Sequence, residues 1–166
     1  MRSQVKIYVA SSWKNTWHDL VVSRLRKRGY CVYNYREKNA DFSWEGVDPD
    51  YKIWTGEKYL KGLLHRDASE AFWLDMSALD SADVVIAIEP LGVSSALELG
   101  WASGWGKPTI LMVFGLFKPE LMTRIAQFRV SSLEDAITVL EGLGGQSGLG
   151  GQSGHGGHRK AGAKND

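Results

Sequence analysis

The chain holds a single cysteine, Cys31, among its 166 residues, so it can form no intramolecular disulfide. Four histidines beside that cysteine do not make a Cys-rich zinc set, and no structural metal is expected. No apolar run approaches the roughly 20 residues that a helix needs to span a bilayer, which excludes a transmembrane helix. No charge of one sign dominates either. The net charge is +1, and residues 142–166 carry three Lys/Arg against one acid, which leaves the preceding body close to neutral. A protein that holds a nucleic-acid polymer through a general basic field would be far more positive, so a small-molecule partner is favoured. G-x-x-x-x-G-K-[ST] is missing, and no G-x-G-x-x-G follows the first apolar strand, which removes the P-loop and the dinucleotide fingerprint. The opening MRSQVKIYVASSW has an apolar run too short for a signal-peptide core and no small-residue cleavage site, so a cytoplasmic protein is expected.

The chain does have the length of one domain and an ordinary globular composition, 43% hydrophobic and 23% charged. Apolar β-branched runs at Val5 to Ala10, Tyr30 to Tyr35, Val84 to Glu89 and Thr109 to Phe114 read as strands. The last two are nearly continuous, as in strands covered on both faces at the centre of a sheet. Helical stretches run from Lys14 to Arg28, Asp67 to Ala82, Ser94 to Trp105 and Leu133 to Leu140, with Gly29 and Gly106 as C-terminal stops. Strand and helix alternate, so the expected class is α/β: a flavodoxin- or Rossmann-like three-layer fold with a mostly parallel sheet of four to five strands. In the first helix Trp17, Leu20, Val21 and Leu25 form the apolar stripe, and Arg24, Arg26, Lys27 and Arg28 offset the dipole at its C-terminus. The domain is expected to span 1–141. Residues 142–166 read GLGGQS twice, then GHGGHRKAGAKND, with ten glycines in 25 residues, and are expected to form a disordered tail whose His155 and His158 are solvated. Residues 37–66 are too long for an ordinary α/β connection and carry Phe42, Trp44, Tyr51, Trp54 and Tyr59. They read either as a lid or base-stacking loop, or as an insertion with its own aromatic cluster.

Two carboxylates lie on the wrong faces. At 100° per residue, Ala68, Ala71, Phe72, Met76, Ala78, Leu79 and Ala82 share one arc of about 160°, and Asp75 falls inside it, whereas Asp80 falls on the polar side. On the next helix Glu98 stands among Ser94, Trp101, Ala102 and Trp105, just after a strand end where open α/β sheets bind ligands. A buried Glu paired with an Arg or Lys would also explain that position. Two acids flanking one strand are, however, the minimum equipment for glycosidic chemistry, one attacking the sugar carbon while the other serves the leaving group.

The block from Asp75 to Pro108, DMSALDSADVVIAIEPLGVSSALELGWASGWGKP, with the opening KIYVASSW, resembles the nucleoside 2-deoxyribosyltransferase family and its relatives that hydrolyse deoxynucleotide N-glycosidic bonds. The segment FSWEGVDPDYKIW resembles a bacterial and phage branch of that superfamily. The resemblance implies that Glu98 is the nucleophile that forms a covalent deoxyribosyl ester and that Asp75 sits at the reacting sugar and base. It further implies that Ser11, Ser12 and Trp13 form the first substrate loop, and that Ser94 and Ser95 lie in the turn that contacts the sugar or a 5′-phosphate. The chain departs from the family at Gly92, where the transferases carry Asp and the nucleotide hydrolases a phosphate-binding Ser, and this leaves the substrate class open. Trp44 is a candidate for stacking on the base, and His65 for binding phosphate or the leaving base, with a solvated His as the alternative. The implied reaction needs no cofactor or metal, and the implied assembly is a homodimer or larger. Two other readings stay open: a Toll/interleukin-receptor-like NAD glycohydrolase, which also uses a glutamate, and a nucleotide-binding module without turnover.

Overall fold

The computed structural model describes residues 4–146. Five strands, β1 (Lys6–Ser11), β2 (Cys31–Tyr33), β3 (Val84–Ile88), β4 (Thr109–Met112) and β5 (Phe128–Val130), form one sheet in the order β2-β1-β3-β4-β5. Every pairing is parallel, so the expected mostly parallel α/β sheet is present in a flavodoxin-like order. The sheet has the upper number of the four to five strands expected, but β5 was not among the segments read as strands in the sequence.

Seven α-helices are described: α1 (His18–Lys27), α2 (Tyr35–Lys38), α3 (Trp44–Val47), α4 (Gly56–Leu63), α5 (Arg66–Ser81), α6 (Val93–Gly104) and α7 (Leu133–Gln146), with short 3-10 turns at Tyr51–Ile53 and Leu121–Ile125. No described helix is long and apolar enough to cross a membrane. Alternation along the strands sorts the core into two layers. Ile7, Val9, Val84, Ile86, Ile88, Ile110 and Met112 face α1 and α7, where Val21, Leu25, Ala136 and Leu140 meet them. Tyr8, Ala10, Val85, Ala87 and Leu111 face the opposite way, onto Leu79 of α5 and Leu99 and Ala102 of α6. The second face is built largely from alanine and valine and leaves room for Tyr8, with Tyr33 packed beside it.

Gly29 and Gly106 have φ of +88° and +73° and end α1 and α6 as expected, because only glycine enters that region without strain. Lys107 then covers the end of α5, its ammonium donating to the carbonyls of Asp80 and Ala82. In α1, Val21 and Leu25 are buried, but Trp17 and Leu20 of the expected stripe stay exposed. Phe72 of the expected α5 arc is likewise exposed, since the sheet covers only part of that arc. The basic end of α1 is structural: Arg26 makes a two-pronged ion pair with Glu37 at 2.8 and 2.9 Å, and Arg28 pairs with Glu141 at 3.5 Å.

The helix expected to stop at Leu140 continues to Gln146, so the boundary drawn at Glu141 falls inside α7. Leu143, a turn beyond Leu140, packs against the α1/α7 layer, and that burial outweighs the poor helix propensity of Gly142 and Gly144. The rest of the tail, with His155 and His158, lies outside the described residues.

Residues 37–66 form short helices rather than an open loop. Ser43 and Thr55 cap α3 and α4 by accepting from the N–H groups of Gly46 and Lys58. Phe42, Trp44 and Trp54 meet edge to face, with ring centroids 5.2 and 5.8 Å apart, and the Trp54 indole donates to Asp48 at 2.7 Å. This is the insertion with its own aromatic cluster.

Candidate active site

The register of β1 on β2 pairs Tyr8 with Tyr33, so two tyrosines stand side by side toward α5 and α6. Their rings stack with centroids 5.3 Å apart and planes 14° from parallel. Asp75 projects from the ninth and tenth residues' turn of α5 toward this pair, and the Tyr33 hydroxyl donates to its Oδ1 at 2.7 Å. Glu98, in the second turn of α6, faces Tyr8. The Tyr8 hydroxyl is buried and completes no hydrogen bond, although Glu98 stands near enough for carboxyl and phenol to shift each other's ionisation.

Burial governs the electrostatics of this cluster. Glu98 is pushed up to about 7, first by loss of solvent and then by the Asp75 charge, with Tyr8 pulling the other way. Burial also raises Asp75, against donation from Tyr33 and Asn39. Both phenols are driven well above the ordinary tyrosine value, chiefly by burial, and stay protonated donors at every physiological pH. Neither carboxyl makes an ion pair with a described Lys or Arg, so the alternative of a Glu98 neutralised by a basic partner has no counterpart in the structure. Two acids thus share a poorly solvated site with neutral donors only. At neutral pH Glu98 is divided between its carboxylate and its acid form.

The other expected residues divide into those at the rim of this cluster and those elsewhere. Ser12 and Gly92 meet where the loops after β1 and β3 touch: a Cβ on Gly92 would lie 3.8 Å from the Ser12 Cα, an ordinary contact. Its φ of −93° is open to any residue, so neither space nor backbone demands glycine there. Trp13 is exposed, edge-on to Tyr35 at 5.0 Å, and Ser94 is exposed in the first turn of α6. Ser95 is buried in the same turn, its hydroxyl accepting from the Gly92 N–H at 2.7 Å and donating to the Gly92 carbonyl at 3.0 Å. That hydroxyl caps the helix start.

Ser11 lies beneath the first loop rather than on its surface. It is buried, with its hydroxyl 2.8 Å from Nδ1 of His18 and 3.1 Å from the Tyr35 hydroxyl. Because Asn34 Oδ1 can only accept, His18 Nε2 carries the proton at 2.9 Å and Nδ1 accepts from Ser11. Burial lowers the His18 value and keeps the ring neutral. Ser11 therefore belongs to the framework beneath the first loop. Arg36 completes that framework, donating from one nitrogen to the carbonyls of Ser12, Trp13 and Asn15 at 3.0, 3.0 and 2.8 Å. Asn15 in turn donates to the Ile88 carbonyl at 3.0 Å and ties the first loop to the end of β3.

His65 and Trp44 are not brought to the cluster. His65 caps the start of α5, accepting from the Asp67 N–H at 3.3 Å, and ten residues of helix put it about 15 Å along the axis from Asp75. Trp44 is committed to Phe42 and Trp54. Sequence reasoning missed Tyr8, Tyr33, Asn39 and Arg36. The signal for the tyrosines was parity: in KIYVAS and CVY they occupy the strand positions that face the helices bearing both acids. Among the described residues no three His, Cys, Asp or Glu side chains gather as a metal site requires.

No protein-family model and no curated protein matches this chain. Among solved structures it is similar to a conserved protein from Enterococcus faecalis V583, at 16% identity over 85% of this chain and 99% of that one, with a TM-score of 0.54. It is less similar in shape to a CMP N-glycosidase of Clostridium botulinum, at 18% identity over 82% of this chain and 98% of that one, with a TM-score of 0.47. A 2-deoxyribosyltransferase from the psychrotolerant bacterium Bacillus psychrosaccharolyticus matches at 22% identity over 80% of this chain and 90% of that one, with a TM-score of 0.54, and it is the fold of that enzyme that this chain shares.

Proposed function

We propose that this protein is an enzyme that cleaves or transfers the N-glycosidic bond of a 2′-deoxynucleoside or deoxynucleotide, with Glu98 as nucleophile. The observation that carries the reading is the Glu98–Asp75 pair itself: two carboxyls without a cation, Glu98 raised to about 7, beside two protonated tyrosines of neighbouring strands. The fold shared with a 2-deoxyribosyltransferase supports the same chemistry.

In the proposed reaction the ionised Glu98 attacks C1′ as the bond to the base breaks, through a transition state with positive charge on the sugar. The bonding pair leaves with the base as its anion, and Asp75, held as the carboxylate by Tyr33, hands to that base nitrogen the proton that it takes up in the next step. The Tyr8 hydroxyl steadies the Glu98 carboxylate. Water, or the nitrogen of a second base, then attacks C1′, loses its proton to Asp75 and releases Glu98 as the carboxylate. A 2-deoxy sugar suits the site because no 2′-hydroxyl withdraws electrons from the developing positive charge. Ser12, Trp13, Gly92 and Ser94 form the substrate rim. The exposed Val93, Leu97 and Trp105 lie at four-residue spacing or its multiples on α6, beside exposed Leu121 and Met122, and are the face through which two copies associate.

The test is incubation of the protein and of Glu98→Gln with deoxynucleosides, their 5′-monophosphates and NAD, with and without a second free base, read by mass spectrometry. Base release or exchange, with a deoxyribosyl adduct on the Glu98 peptide that the variant lacks, supports the proposal. Nicotinamide release from NAD alone would favour the glycohydrolase reading. Tight binding without turnover would favour a nucleotide-binding module.

A further inference from the structure

We infer that Tyr33 is a positioning residue that divides the labour of the two carboxyls, fixing Asp75 in one rotamer through its hydroxyl while leaving Glu98 free of that bond. The inference rests on the function proposed above for its catalytic meaning, but its geometry stands alone. Tyr33 lies on β2, the edge strand, and its register opposite Tyr8 is set by three consecutive pairings, Lys6 with Cys31, Ile7 with Val32 and Tyr8 with Tyr33. Stacking at 5.3 Å on the fully buried Tyr8 ring leaves the Tyr33 ring little freedom. Its hydroxyl reaches Asp75 Oδ1 at 2.7 Å, the short end of the range for a hydroxyl donating to an ionised oxygen.

The groups that face Asp75 are Tyr33 from β2, Asn39 from the segment after α2, Tyr8 from β1 and Glu98 from α6. The first two are neutral donors, and neither changes charge near neutral pH. The Asn39 amide also donates to the Ala71 carbonyl of α5 at 3.5 Å, so its approach to Asp75 is shared with the helix backbone. Tyr33 is the undivided donor. Its hydrogen bond favours the anionic form of Asp75, so that Asp75 gives up its proton at lower pH than Glu98 and the pair titrates in two separated steps. A carboxylate held in one orientation is also what transfer of a proton to and from the leaving base requires.

The experiment follows the side-chain carboxyl carbons by NMR across pH in the wild-type chain and in Tyr33→Phe, with no substrate present. Tyr33→Phe keeps the stacked ring and removes only the donor. The expected result is that the lower of the two carboxyl titrations moves up by about one unit, the size of one lost hydrogen bond to a charged acceptor. On substrate, kcat falls at least tenfold while KM changes little. Tyr33→Leu, titrated in the same way, serves if the Phe variant does not fold. A titration and a kcat that are both unchanged in a folded variant make Tyr33 a packing residue and overturn the inference. A shifted titration in a protein with no turnover on any nucleoside or nucleotide keeps the hydrogen bond and overturns the function proposed for the site instead.

Discussion

Glu98→Gln is expected to make the protein more stable, and only above the acid range. A carboxyl with an ordinary value of 4.5 in the unfolded chain and about 7 in the folded one binds its proton more tightly when folded. Between those two values the native state holds more proton than the unfolded state, so stability falls as pH rises through the window and levels off above it. Below the unfolded value both states are protonated and nothing is lost. The separation corresponds to about 3 kcal/mol at about pH 8, a large part of the roughly 5–15 kcal/mol that holds a domain together. Glutamine has the shape and hydrogen-bonding groups of the neutral acid but does not ionise, so it removes the penalty and little else. Asp75 is raised as well, which gives a term of the same sign in both proteins that largely cancels in the comparison. Urea unfolding of the two proteins at about pH 4 and about pH 8 should show equal stability at the lower pH and a gain of about 3 kcal/mol for the variant at the higher. The corresponding rise in melting temperature is roughly 6–12 °C. A gain of the same size at both pH values, or a loss at the higher, would refute the argument that burial of an ionisable Glu98 is what costs stability.

On substrate, kcat/KM should climb about tenfold per pH unit below a midpoint of about 7 and flatten above it, because the proposed nucleophile Glu98 must be ionised to attack. Asp75→Asn removes the repulsion that adds to burial and should move that midpoint down; a wild-type midpoint near 4.5 would show that Glu98 does not set the profile. Gly62→Ala should cost about 1–3 kcal/mol in urea unfolding, since the new Cβ would fall 2.2 Å from Cζ3 of a Trp54 ring pinned by its bond to Asp48. An unchanged midpoint would mean that this ring is not fixed on α4. Light scattering should give a dimer or larger assembly that Leu97→Glu breaks into subunits, whereas a wild-type mass of 18.4 kDa would remove the association face.

The parallel sheet was legible because β1, β3 and β4 are buried on both sides and read as continuous apolar runs, from which neither periodicity nor length distracts. β5 was not, for a physical reason: in Phe128–Val130 only two side chains turn inward, and Arg129 points away to donate to the carbonyls of Arg124 and Ala126. Three residues carry no period. The end of α7 was hidden by Gly142 and Gly144, whose local preference against helix is overridden by one leucine that reaches the core. The internal partners of Ser11 and Ser95 were not legible, because a serine after a strand or at a helix start is equally suited to hold a ligand or to satisfy the backbone. The structure supplies those partners, His18 and Tyr35 for one and Gly92 for the other.

The acids of the site were legible and its tyrosines were not, and the asymmetry is instructive about the chemistry. A carboxylate inside an apolar arc is a contradiction that a helical wheel exposes, whereas tyrosine is among the residues that strands favour and raises no alarm in KIYVAS. Yet the tyrosines define what the acids can do. Had the sheet presented a lysine or arginine at Tyr8 or Tyr33, Glu98 would be an ordinary ionised partner in an ion pair, stable and inert. Neutral donors orient the two carboxyls without discharging their repulsion, and that repulsion adds to burial in holding Glu98 near 7. In the proposed reaction the missing positive charge arrives only as C1′ becomes cationic, so the stabilisation that the folded protein forgoes at rest is recovered at the transition state, where it accelerates the reaction rather than tightening the hold on substrate.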